Sequence, residues 1–179
     1  MSDRPKEKWK ADIAWGIARD LRTKLFSSCW RIEVAGSLRR RKEYVGDIEL
    51  LCIPRYDGPV DLLDRSVREL MYKGVLETRK DKRGRMIYGK QNKLLRHSSG
   101  IGVDIFSTTD ECWVVALVVR TGGFKTNIHI ASRAKDLGLR FHAYGKGFTG
   151  ADGQPIVCHT EEDVFKTVGL AYKEPWERE

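Results

Sequence analysis

The chain has 179 residues, with 33 Lys and Arg against 25 Asp and Glu, a net charge of +8. That length suits one domain, or one with a small appended lobe, and 41% hydrophobic with 32% charged residues excludes wholesale disorder. The longest apolar run, Trp113–Val119, is too short to span a bilayer, and Met1–Lys6 carries no signal-peptide apolar region, so a cytoplasmic protein with no membrane partner is expected.

In chain order, Pro5–Leu25 is predicted as an amphipathic helix, with Pro5 in its first turn and Trp9, Ile13, Ile17, Leu21 and Leu25 on one face beside Ala14 and Ala18. A short strand over Arg31–Ala35 runs into Gly36-Ser37, and Asp47–Pro54 reads as a second strand. Val60–Tyr72 is predicted helical and ends at Gly74, followed by strand candidates at Val75–Arg79, Arg85–Tyr88 running on towards Leu95, and Ile101–Phe106. Asp110 is expected to cap a helix over Glu111–Arg120, stopped by Gly122-Gly123; Lys125–Leu137 is another helix. A Gly-rich, hairpin-like stretch covers Leu139–Val157, and Glu161–Val168 is a short last helix. These elements predict an α+β architecture: an α/β lobe over residues 1–109, then a smaller, mostly helical lobe over 110–179.

Charge is clustered. Arg79 to His97 holds eight Lys and Arg against the single acid Asp81, Arg39-Arg40-Arg41-Lys42 forms a second knot, and Glu161–Glu179 is acidic. Such clustering holds phosphates, although a solvated hairpin tip around Lys82–Arg85 carries the same signature. Cys29, Cys52, Cys112 and Cys158 form no CxxC or Cys/His cluster and read as reduced, mostly buried thiols rather than zinc ligands. The four histidines share no metal-ligand spacing, and Trp9, Trp15, Trp30 and Trp113 read as packing residues.

The chemistry concentrates on Asp47 and Glu49. In a strand, positions i and i+2 share a face, so both carboxylates project together while Ile48 and Leu50 face the other side. Asp104 repeats the pattern, with Ile101, Val103 and Ile105 inward. Three carboxylates on adjacent strands make an oxygen-rich site suited to Mg²⁺, although a single alternating strand also places acids at solvent. The preceding Gly36-Ser37-Leu38-Arg39-Arg40 supplies a close-approach glycine, a hydroxyl and bidentate phosphate donors. A phosphate turn beside paired carboxylates is the layout of metal-dependent phosphoryl transfer.

Gly36-Ser37-Leu38-Arg39-Arg40, then Gly46-Asp47-Ile48-Glu49, then Val103-Asp104-Ile105-Phe106, resembles the nucleotidyltransferase signature of family X DNA polymerases. Thr121-Gly122 before a helix containing Asn127, Tyr144 beyond it, and the ending from Glu162 to Glu179 are similar to that family too. The resemblance implies a nucleotidyltransferase-type palm, a mixed sheet flanked by helices, with a small C-terminal lobe that contacts nucleotide and template. It implies that Asp47, Glu49 and Asp104 hold two Mg²⁺ ions (Mn²⁺ substituting), with Asp104 helping to deprotonate a primer 3′-hydroxyl. Gly36, Ser37, Arg40 and the Gly46 backbone would bind the β and γ phosphates. Thr121, Gly122 and Asn127 would serve the incoming nucleotide, and Tyr144 the template side. Arg83, Arg85, Lys90, Lys93 and Arg96 are the candidate grip on the DNA backbone.

The chain departs from that family at several places. Glu49 stands where Asp is usual, and Arg41 where Gly is frequent. Val119-Arg120 replaces an aromatic pair that helps to exclude ribonucleotides. Phe124, Ile128 and Ala131 replace polar or basic residues that touch nucleotide, template or minor groove, so low fidelity is expected. The N-terminus has room for one helix but not for a lyase domain. The expected protein is a minimal, monomeric DNA polymerase acting on primer-template or gapped DNA with nucleoside triphosphates, in the host cytoplasm if viral. Template-independent terminal transfer, another nucleotidyltransferase activity, or a non-catalytic nucleic-acid-binding module are its alternatives.

Overall fold

The computed structural model describes residues 8–179. It divides into two compact units, one running to Ser107 and one from Thr108 to Glu179.

The first unit opens with β1 (Trp9–Lys10) and α1 (Ala11–Leu25). The predicted helix therefore begins six residues later than Pro5, which lies outside the described residues. Trp9 is not on its face, because β1 pairs antiparallel with β3 (Tyr44–Val45). The buried stripe of α1 is Ala14, Ala18, Leu21 and Leu25, while Ile13 is half exposed. Small alanines let the helix approach the sheet closely.

Between α1 and β3 come β2 (Cys29–Val34) and α2 (Gly36–Arg39), the latter a single helical turn. Then follow β4 (Asp47–Pro54), the small hairpin of β5 (Tyr56–Asp57) and β6 (Val60–Asp61), and α3 (Leu62–Tyr72). Val60 and Asp61 are thus strand rather than helix, because Asp61 is the N-cap: its carboxylate accepts from the Asp64 N–H at 2.9 Å. The unit ends with β7 (Leu76–Thr78), β8 (Asn92–His97) and β9 (Gly102–Ser107). The strand expected from Arg85 onward is only bridges at Lys80–Met86 and Tyr88–Lys93, with regular pairing starting at Asn92.

Five strands of this unit form one mixed sheet in the order β2-β4-β9-β8-β7, in which β4 and β9 run parallel and the other neighbours antiparallel. Ile48 and Leu50 of β4 and Val103 and Ile105 of β9 are buried against α1 and α3. Each such side chain contributes about 1.5–3 kcal/mol. A one-residue slip would drive Asp47, Glu49 and Asp104 into this core, so burial on one face dictates which residues line the other.

The second unit comprises α4 (Trp113–Thr121), α5 (Phe124–Asp136), a three-stranded sheet of β10 (Arg140–His142), β11 (Gly147–Thr149) and β12 (Pro155–Ile156), and α6 (Glu161–Thr167). Asp110 does not cap α4. It lies in a 3₁₀ turn, Asp110–Cys112, that leads into the helix. A capping box starts α6: Thr160 Oγ1 accepts from the Asp163 N–H, and the Asp163 carboxylate accepts from the Thr160 N–H. Val115, Val118, Ile130, Phe148, Val164 and Phe165 form the core. Trp30, expected to pack, is instead 73% exposed beneath the Arg55 guanidinium. All four cysteines are free thiols, with Cys29, Cys52 and Cys158 buried. No helix among the described residues is long and apolar enough to cross a membrane.

Candidate active site

Strand register assembles the acids. Along the parallel β4–β9 pair, Glu49 lies opposite Asp104 and Asp47 opposite Gly102, so three carboxylates from two adjacent strands share the face away from the core. All three are partly exposed. Asp104 is held by Arg79, whose guanidinium donates through Nη2 to Asp104 Oδ1 and through Nε to the Leu95 carbonyl at 3.0 Å.

The turn before β4 reaches the same face. Gly36 has φ +62°, a left-handed conformation, and a Cβ there would collide with the Glu49 carboxylate. The extra methylene of Glu49 is accommodated in this way: the longer side chain lies against the bare Cα of Gly36. The Ala35 N–H also donates to the Glu49 carbonyl at 2.8 Å, fastening the turn to β4. Ser37 on α2 and Arg40, which follows at its C-cap, are partly exposed. Burial pulls the Arg40 guanidinium below its ordinary pKa, and the neighbouring charge of Glu49 acts in the opposite direction. Arg41 occupies the left-handed region, φ +57°, which explains why glycine suits this position.

As the side chains stand, no three His, Cys, Asp or Glu among the described residues are drawn together as a metal-binding group. Glu49 is turned towards Gly36 and Asp104 towards Arg79. The donor set still fits a hard divalent cation. It offers carboxylate oxygens on one face of two registered strands.

In the second unit, Thr121 is fully buried at the end of α4 and Gly122 adopts φ +70°. Asn127 donates through Nδ2 to the Val119 carbonyl at 2.9 Å, tying α5 to the end of α4. Tyr144 is 75% exposed, and the Arg120 guanidinium lies 5.0 Å over its ring. Phe124 and Ile128, one turn apart on α5, are exposed.

The basic segment of the first unit is less uniform than its sequence. Arg83 and Lys90 are exposed. Arg85 is clamped to Asp81 by two hydrogen bonds, and Arg96 lies 3.6 Å from Glu77. Lys93 is 1% exposed, donates to the Gly89 carbonyl at 2.9 Å and sits 3.6 Å from Asp64. It is therefore a buried structural cation, because strand alternation in β8 points it to the core side with Leu95, and it is removed from the candidate DNA-binding set. Sequence reasoning missed Arg79, whose only signal was its place at the end of a short strand in a run of basic residues.

Comparison with known proteins agrees with this architecture. Residues 116–179 match the family model of the DNA polymerase beta thumb. A ternary P/T complex of Leishmania infantum polymerase beta superposes with a TM-score of 0.76 at 20% identity, covering 97% of this chain and 77% of that one. A ternary gap complex of the same polymerase gives 0.78 at 19% identity, over 97% and 71%. No curated protein matches by sequence. The fold is that of polymerase beta. The chain's C-terminal unit is similar to the polymerase beta thumb.

Proposed function

We propose that the protein is a DNA polymerase that adds nucleotides to a primer 3′-hydroxyl, releasing pyrophosphate, in short-gap synthesis of low fidelity. The observation that carries this reading is the register of Asp47, Glu49 and Asp104 on one face of β4 and β9, with the Gly36 turn fastened beside them. Asp47, Glu49 and Asp104 would hold two Mg²⁺ ions. The chemistry supplied by bound Mg²⁺ is charge neutralisation on the triphosphate and easier loss of the primer hydroxyl proton. Asp104 would accept or relay that proton. Ser37, Arg40 and the Gly46 backbone would orient the β and γ phosphates for in-line displacement, and arginine charge would offset the negative charge on the leaving pyrophosphate. Thr121, Gly122 and Asn127 would serve the nucleotide, and Tyr144 the template. Arg83, Arg85, Lys90 and Arg96 would hold DNA phosphates. Both Leishmania structures are ternary polymerase beta complexes, one of them with a gap, which supports a similar use of this fold here.

Template-independent transfer is the second reading. It is favoured by Phe124 and Ile128, 78% and 51% exposed on α5, which offer an apolar surface where hydrogen bonds would otherwise read the nucleotide and template.

The test offers gapped, nicked and single-stranded primers with each dNTP or NTP, in Mg²⁺ and in Mn²⁺, to the parent protein, Asp47→Ala and Asp104→Ala. Templated incorporation lost in both variants is the expected result. Equal addition to single strands selects terminal transfer, and DNA binding with no product under any condition leaves a binding module.

A further inference from the structure

Arg79 stands apart from the exposed basic residues of its segment, and unlike the buried Lys93 it is paired with one of the three candidate acids. Arg85 and Arg96 meet their acids with 61% and 53% of their side chains exposed, where water screens the pair. Arg79 and Asp104 are 19% and 14% exposed. The arginine is also fixed at three points: its backbone N–H donates to the Leu94 carbonyl at 3.0 Å, Nε to the Leu95 carbonyl, and Nη2 to Asp104. Both carbonyls belong to β8, so the guanidinium crosses that strand to reach β9. Residue 102 borders this passage: a Cβ on Gly102 would stand at ordinary contact distance, 3.4 Å, from both Arg79 Nε and the Asp47 Cβ.

Three neighbouring carboxylates repel one another, and a fixed cation beside one of them offsets that repulsion. A divalent cation entering the same face must compete with it for Asp104.

We propose that Arg79 is the resident counter-ion and positioning residue of Asp104, and that divalent-metal binding at the acidic face exchanges this ion pair for coordination, so that Arg79 sets the metal affinity of the site. The inference rests on Asp47, Glu49 and Asp104 being metal ligands. Its consequence is a threshold: the free protein binds metal weakly, and nucleotide-borne metal is favoured because the triphosphate brings ligands of its own.

The experiment titrates Mn²⁺ into the free, full-length protein at low ionic strength and reads unbound Mn²⁺ by electron paramagnetic resonance, with thermal melting to confirm folding. Asp47→Asn and Asp104→Asn weaken binding. Arg79→Gln and Arg79→Met tighten it by about threefold or more. Arg79→Lys, which keeps the charge, binds like the parent, and Arg79→Gln adds nothing to Asp104→Asn. A second measurement needs no loss of the arginine: in the parent protein the Arg79 Nε–H resonance, assigned with Arg79→Lys, moves to the position of a solvated guanidinium as Mg²⁺ saturates the site. Unchanged or weaker Mn²⁺ binding in Arg79→Gln, or an Nε–H resonance unmoved by Mg²⁺, overturns the proposal while the acid variants uphold the metal reading. Mn²⁺ binding indifferent to Asp47→Asn and Asp104→Asn overturns both.

Discussion

The Glu49 carboxylate lies where a side chain on Gly36 would begin, so the two residues are mutually exclusive in size. A glycine in this turn is required twice over, by its left-handed backbone and by the long acid beside it. Gly36→Ala is expected to cost about 1–3 kcal/mol in chemical denaturation, from backbone strain alone. It also displaces Glu49, so nucleotide addition falls further than stability does. Parent-like activity in a folded Gly36→Ala protein would contradict the placement of Glu49.

Arg41 takes a conformation that costs a side-chain-bearing residue more than glycine. Arg41→Gly should therefore raise stability by about 1 kcal/mol, seen as a higher denaturant midpoint at unchanged slope. The left-handed conformation follows the α2 turn, where the Arg41 N–H donates to the Leu38 carbonyl and the Lys42 N–H to the Ser37 carbonyl.

The basic segment should divide under DNA-binding measurements. Arg83→Ala and Lys90→Ala each weaken affinity for duplex DNA and reduce the slope of log K against log salt by about 1. Lys93→Met leaves that slope unchanged, because the ammonium is buried against the Gly89 carbonyl and the Tyr88 ring. It alters stability instead, since Asp64 loses a neighbouring cation.

Arg178 is a second buried cation, in the thumb-like unit. It is fully enclosed, donates to Glu161 at 2.7 Å and to the Lys173 carbonyl at 2.9 Å, and its guanidinium faces the rings of Phe165 and Tyr172. Arg178→Ala is expected to cost about 3 kcal/mol in denaturation, because the partly buried Glu161 loses this cation and the two rings lose the guanidinium packed against them. Arg178→Met, which keeps part of the packing, costs less.

Stability towards acid should depend on the α6 cap. Hydrogen bonds from the His159 and Thr160 N–H groups hold the Asp163 carboxyl below its ordinary pKa. A folded value below the unfolded one means that the contribution is complete above the unfolded value. It is lost as pH falls through the folded one. Asp163→Asn should accordingly lower stability near neutrality and flatten the pH dependence below about pH 4, measured as melting temperature against pH.

Much of the candidate site is local and therefore legible in the sequence. Asp47 and Glu49 share a face because strand side chains alternate, and β4 has the limits its composition predicts. Gly36, Ser37 and Arg40 follow a strand within a few residues, so chain proximity places them. Helix starts were less legible. Pro5 and Trp9 suited a helix, but β1 was claimed by pairing with Tyr44–Val45, thirty-odd residues away. Lys93 reads as one more basic residue in a basic run, and only the core side of β8 reveals it as buried.

The sequence by itself determined the α+β class, the face shared by Asp47 and Glu49, and the polymerase-like order of glycine turn, acids and small lobe, because each depends on neighbours within a few residues. The tertiary structure alone decided that Glu49 stands opposite Asp104, that Glu49 lies on Gly36, and that Arg79 crosses β8 to hold the third acid. These relationships are set by register between strands distant in the chain. That register follows from burying Ile48, Leu50, Val103 and Ile105 together, a constraint that no single segment contains.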